Sequence, residues 1–246
     1  MGDVTLDVAE GVATFTLDNP EVRNALSEDM ARRLMELCDE VDAEPKIGAA
    51  VLQGSGTTFC SGADTRVLLS AEHADRQSSP TTASIYESFL RVGNLQMPTI
   101  AAVRGAAVGA GLDLALATDL RIVASDARLI AGFQRIGIHP GGGFFTLVGR
   151  LGGREASTAM GAFGEEISGE RAAALGLAWE AVDGERVAER ALELAQRVAS
   201  DPELARVTIR SMRLELGPPA VAWPTAVEIE RGPQLWSRQR LQQADS

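Results

Sequence analysis

Residues 97–143, MPTIAAVRGAAVGAGLDLALATDLRIVASDARLIAGFQRIGIHPGGG, decide how this chain is read. An apolar run at residues 99–103 ends in Arg104-Gly105, and a small-residue loop, residues 106–111, follows. The loop opens into Leu112-Asp113-Leu114-Ala115-Leu116, a second apolar run fills residues 120–124, and the stretch closes on Gly141-Gly142-Gly143. That order predicts strand, glycine turn, short helix, strand. Glycine and alanine let a ligand approach the backbone closely. A helix start adds unpaired N–H groups and the positive end of a dipole, so the turn suits a phosphate or an oxyanion. Asp113 lies two residues past the last loop glycine, at the edge of such a site.

Working outward, residues 4–8 and 12–17 flank Glu10-Gly11 and read as two short strands around a tight turn. Ser27 is an N-cap, and Glu28 and Asp29 place negative charge in the first turn of a helix that Pro45 ends. Its apolar face is Met30, Leu34, Leu37 and Val41. Residues 47–52 are continuously apolar, as in a buried parallel strand. A second small-residue loop, residues 54–64, follows that strand, as the loop before Asp113 follows its own. Residues 70–80 are polar, and residues 81–95 read as a helix with Ile85, Phe89 and Val92 on one face. Helical segments are expected from Arg154, from Ser168 and over residues 185–199, and another starts at Asp201-Pro202 and runs to about residue 216. The first two-thirds of the chain is therefore α/β and the last third helical.

The chain has 246 residues, 45% of them hydrophobic, enough for one large α/β domain or one domain with a helical appendage. A formal charge of −11 argues against nonspecific nucleic-acid binding. Any polyanionic ligand must meet a local basic patch, and Lys46 is the only lysine, so arginine must supply it. No apolar run is long enough to span a membrane. The acidic, strand-like N-terminus is not that of a signal peptide. Cys38 and Cys60 have no metal-ligand spacing, and reduced thiols in a cytoplasm are the simplest reading. The spacing around Gly105 fits neither G-x-G-x-x-G nor a Walker loop, and no G-x-S-x-G is present.

Each candidate residue also has a bland role. Asp113 serves as a helix-start carboxylate, His139 as an exposed turn histidine, Asp64 as a turn cap, and Arg23 and Arg66 as surface arginines. His73 lies in the polar loop, and Trp223 and Trp236 in the tail read as core or subunit contacts.

The motifs Arg23-Asn24-Ala25-Leu26, Phe59-Cys60-Ser61-Gly62-Ala63-Asp64 and residues 98–111 stand in order along the chain. They are joined by Asp119-Leu120-Arg121-Ile122 and by Gly137-Ile138-His139-Pro140 before the three glycines. Together they resemble the enoyl-CoA hydratase/isomerase (crotonase) superfamily over nearly the whole chain. The resemblance implies an α/β spiral of ββα turns, here residues 1–190, with a C-terminal helical trimerisation region, residues 191–246. It implies an acyl-CoA substrate of fatty acid metabolism, coenzyme A being part of the substrate rather than a cofactor, and a homotrimer or homohexamer. By motif position the backbone N–H groups of Ala63 and Ala110 would polarise the thioester carbonyl as an oxyanion hole, each worth about 3 kcal/mol of barrier. Ala63, Asp64, Thr65 and Arg66 fall where the family wraps the adenine and pantetheine, Arg23 falls near the phosphates, and Ala25 and Ser61 belong to the expected binding set. Gly109, Phe133, Pro140 and Gly141 complete the expected binding set, and Asp113 and His139 the catalytic one.

The acid/base positions depart from the family pattern. Where hydratases carry two glutamates, this chain has Asp113 and Phe133, and where other members carry an acid just after the proline it has Gly141. Losing one general acid/base costs about 10²–10⁴-fold. Three readings follow: an enzyme adding water to an enoyl-CoA or moving its double bond, a low-turnover acyl-CoA carrier or sensor, and an assembly module whose small-residue loops are structural.

Overall fold

The structure of the protein is a computed structural model that describes residues 2–64 and 80–217. The strands, in chain order, are β1 (Asp3–Ala9), β2 (Val12–Asp18), β3 (Ala49–Gly54), β4 (Thr99–Val103), β5 (Ala106–Val108), β6 (Leu120–Ala124), β7 (Arg128–Ile130), β8 (Glu166–Ser168) and β9 (Glu180–Val182). The α-helices are α1 (Glu28–Ala43), α2 (Pro80–Gly93), α3 (Ala110–Leu116), α4 (Phe144–Gly161), α5 (Gly169–Ala174), α6 (Val187–Ala199) and α7 (Pro202–Leu216).

The hairpin at Glu10-Gly11 pairs β1 with β2 antiparallel, Ala9 opposite Val12. From β2 the main sheet continues in parallel through β3, β4, β6 and β9, giving the order β1-β2-β3-β4-β6-β9. All five residues of β4 are buried, which explains the unbroken apolar run: a parallel strand covered on both faces has no side to turn to water. Helix α6 lies across β2, β3, β4 and β6, with Ala191, Ala195 and Ala199 buried. The domain boundary read at residue 190 thus falls inside a helix of the core.

In the second sheet, β5-β7-β8, β5 and β7 directly follow main-sheet strands, and β8 comes after helix α4. β4 leads to β5 and β6 to β7, while Cys60, after β3, bridges to Ala107 of β5. Each turn of the chain therefore deposits one strand in the main sheet and one short strand or bridge in the small one. This is the spiral of ββα turns. It also corrects one local reading: residues 106–108 are a strand, not part of a loop. Their partners, Cys60 and β7, are remote in sequence, so the local pattern carries no trace of the pairing.

The caps behave as their chemistry requires. Met30 N–H donates to Ser27 Oγ at 3.2 Å, Arg171 N–H to Ser168 Oγ at 3.1 Å, and Leu204 N–H to Asp201 Oδ1 at 3.1 Å. Helix α4 begins ten residues before the expected Arg154 and kinks at Gly153 (φ 79°, ψ 179°), the break that hides its first half from a periodicity search. Arg213 of α7 clamps the carboxylate of Asp119, with Nε 3.0 Å from Oδ1 and Nη2 2.6 Å from Oδ2. Asp119 also accepts from the N–H and hydroxyl of Thr99, which ties the last described helix to the start of β4.

Candidate active site

The two small-residue loops meet. Cys60 N–H donates to the Ala106 carbonyl at 3.1 Å and Val108 N–H to the Cys60 carbonyl at 3.0 Å. Glycine makes the approach possible: Gly62 sits at φ 99°, and a Cβ there would lie 2.8 Å from the Val108 carbonyl oxygen. Gly109 (φ 50°, ψ −116°) lies outside the reach of other residues and turns the chain from β5 into α3.

The first motif holds the loop that carries Ala63. Leu26 N–H donates to the Gly62 carbonyl at 2.8 Å and Asp64 N–H to the Leu26 carbonyl at 3.1 Å, which leaves the intervening Ala63 amide directed elsewhere. Ser61 is pinned by its N–H to the Arg23 carbonyl at 2.9 Å and by its hydroxyl to the Val22 carbonyl at 3.0 Å. Behind it, the buried Asn24, itself at φ 55°, donates through Nδ2 to the carbonyls of Ser55, Thr58 and Phe59 at 2.9, 2.7 and 3.3 Å. Asn24 Oδ1 accepts from Asn19 N–H at 2.8 Å. Asparagine tolerates the left-handed region and has donors and acceptor enough for this knot.

A cavity of about 150 Å³ opens at the junction. Ser61, Ala63, Gly109, Ala110, Asp113, Phe133, His139 and Gly141 of the expected set all line it. The amides of Ala63 and Ala110 donate no hydrogen bond to another described residue. Arg23 is exposed and reaches this region through its backbone; Asp64 and Pro140 lie beside lining residues in the chain rather than among them, and Ala25 is not among the lining residues. Thr65, Arg66, His73, Trp223 and Trp236 lie outside the described residues. Among the described residues no group of three or more His, Cys, Asp or Glu side chains is placed to hold a metal. No helix among them is long and apolar enough to cross a membrane. Cys60, under the junction, is buried, and burial pushes its thiol up to about 12, so it supplies no nucleophile.

Asp113 is the one carboxylate on the cavity wall among the described residues. It is 1% exposed, and its Oδ1 has no hydrogen-bond partner among the described residues. Loss of solvation alone pushes its pKa up to about 8. Buried carboxylates are normally partnered, so an orphaned one beside a cavity marks a group kept for chemistry. The expected helix-start position at the site's edge is thus an inward-facing seat. Phe133, at the second-carboxylate position, packs edge-on against Phe144, ring centres 5.5 Å apart. His139 stands exposed at the rim with Nδ1 2.7 Å from the Pro140 carbonyl oxygen.

The remaining wall is apolar: Ile85, Val108, Ala131, Ile136 and Ile138. Tyr86, the chain's single tyrosine, also lines it. Sequence reasoning missed Tyr86 because the helix was read by its apolar face. A lone phenol beside Ile85 of that face was the signal on offer.

Residues 7–220 match the model of the family described as enoyl-CoA hydratase/isomerase. The protein named probable enoyl-CoA hydratase EchA14 of Mycobacterium tuberculosis is 38% identical over 240 residues, 96% of this chain and 92% of that one. The 1,2-epoxyphenylacetyl-CoA isomerase of Escherichia coli is 33% identical over 201 residues, 79% of this chain and 75% of that one. An enoyl-CoA hydratase crystal structure from Polaromonas superposes with a TM-score of 0.84 at 26% identity, covering 95% of this chain and 91% of the other. With its two-sheet spiral and a family match that spans residues 7–220, this chain belongs to the enoyl-CoA hydratase/isomerase family.

Proposed function

We propose that this enzyme transfers a proton at the α-carbon of an enoyl-CoA thioester, with Asp113 as the base, and that its reaction is migration of a double bond between the 3- and 2-positions. The carrying observation is a carboxylate that stands alone, among the described residues, in an apolar cavity. The α-proton of a thioester becomes acidic when the carbonyl oxygen is met by donors, and the amides of Ala63 and Ala110, which donate to no described residue, supply them in the manner of an oxyanion hole. Asp113 in its ionised form then takes the proton. Water addition needs a second group to orient and deprotonate water, and the ring of Phe133 fills the place where such a carboxylate is expected. Ser61 and Gly109 flank the donors, and the exposed Arg23 is the candidate cation for the phosphates, with Asp64, Thr65 and Arg66 following the pantetheine. Two further features belong to this reading. The exposed Trp179, Leu214 and Leu216 are apolar surface that a homotrimer or homohexamer would cover. Two free, buried cysteines suit a reducing cytoplasm.

The test is incubation with 3-enoyl- and 2-enoyl-CoA esters of graded length, followed by absorbance of the conjugated thioester and by product identification. Conjugation of the 3-enoyl ester, abolished in Asp113→Asn, supports the proposal. A 3-hydroxyacyl product from the 2-enoyl ester makes the enzyme a hydratase working with one carboxylate. Tight acyl-CoA binding without turnover makes it a carrier.

A further inference from the structure

The glycines after Pro140 do more than turn the chain. A Cβ built at Gly141 would collide with the Tyr86 hydroxyl oxygen. A Cβ built at Gly142 would lie 2.8 Å from Asp113 Oδ2. Two consecutive positions without side chains therefore leave room for two proton-bearing groups, one from α2 and one from α3. The Tyr86 hydroxyl occupies the volume that a side chain at 141 would fill, and both residues line the same cavity. The Tyr86 ring is steadied against Phe89, centres 6.1 Å apart at 49°.

From this arrangement we infer that the Tyr86 hydroxyl is the second proton-transfer group of the site, the partner of Asp113 that the carboxylate pattern lacks. The inference rests on the proposed proton transfer at the α-carbon. Asp113 carboxylate takes the C2 proton of a 3-enoyl thioester, the C2–H bond breaking as an Asp113 O–H forms, and the electron pair spreads into a dienolate. The dienolate forms a C4–H bond with the phenol proton, the Tyr86 O–H bond breaks, and the conjugated thioester remains. The proton on Asp113 then passes to the phenolate, and both groups return to their starting forms. Partial burial, with the negative charge of Asp113, holds the phenol above its usual pKa, so it enters the reaction protonated. His139 is the other titratable side chain on the wall among the described residues, but its Nδ1 is turned to the Pro140 carbonyl oxygen.

Tyr86→Phe removes only the hydroxyl and keeps the ring contact. In D2O, with a 3-enoyl-CoA ester, the expected result is that exchange at C2 stays within a few-fold of wild type. Conjugation falls about 100-fold or more, the low end of a general acid's contribution. Gly141→Ala, which pushes the hydroxyl from its place, should give the same split and does not depend on how Tyr86→Phe folds. Exchange and conjugation that fall together, or that both stay at wild-type rates, in these folded variants overturn the role of Tyr86. A wild-type enzyme that exchanges no C2 hydrogen overturns the reading of Asp113 itself, and the present inference with it.

Discussion

Asp113→Asn tests the site's electrostatics in the folded protein before any substrate is added. The carboxyl is 1% exposed, and its pKa is pushed up to about 8 by burial. In the unfolded chain an aspartate titrates at about 3.9. Below about pH 4 both states hold the proton, and Asp113 contributes nothing to the pH dependence. Between about 4 and 8 the unfolded state has released the proton and the folded state has not, so wild-type stability falls as pH rises. At about 1.36 kcal/mol per unit over roughly four units, the loss has an upper bound of about 5 kcal/mol. The open mouth of the cavity lowers it. The amide introduced by Asp113→Asn does not titrate, so the gap between variant and wild type should widen steadily in favour of the variant from pH 4 to 8 and then level off. Urea unfolding at half-unit steps of pH measures that gap, and the remaining carboxylates, common to both proteins, cancel. Parallel stability curves, within about 1 kcal/mol from pH 4 to 8, would refute the claim that Asp113 is buried without a partner. Catalysis reads the same group from the other side. If the ionised form is the base, kcat/KM rises about tenfold per unit from pH 6 and levels near 8. Tyr86, held above its ordinary pKa, adds no descending limb there.

Three further outcomes are expected. Ala110→Pro deletes one amide donor at the first position of α3, where proline is tolerated, and should lower kcat about 10²-fold with little change in melting temperature. Asn24→Ala removes three donated and two accepted hydrogen bonds in the buried knot behind Ser61; calorimetry should show a loss of about 2–4 kcal/mol and turnover should fall with it. Arg213→Met leaves the Asp119 carboxylate without its clamp and should cost about 1–3 kcal/mol in chemical denaturation.

How much was legible in the chain differs by feature. The N-caps at Ser27, Ser168 and Asp201, the proline at the start of α7 and the buried run of β4 were all readable, because each depends on neighbours within one turn or one strand. The motif order was equally readable, and it names the residues of the Ala63–Ala110 junction. The small sheet was not. Its strands are three residues each, and their stability comes from partners tens of residues away. The first half of α4 was hidden by the kink at Gly153. Asp113 was found in sequence, but its two roles, a dipole-favoured cap and a buried base, share the same local pattern.

Residue identity by itself determined which chemistry is at hand: one carboxylate after the glycine turn, phenylalanine in place of a second, glycine after the proline, arginine as nearly the whole cationic supply. Those are covalent facts that folding cannot change. Only the tertiary structure decided that Asp113 loses its water, that Ala63 and Ala110 line one cavity, and that the hydroxyl of Tyr86 stands where Gly141 leaves space. Solvation and proximity belong to the packed chain, since both depend on atoms that the sequence keeps far apart and the fold brings within a few ångströms.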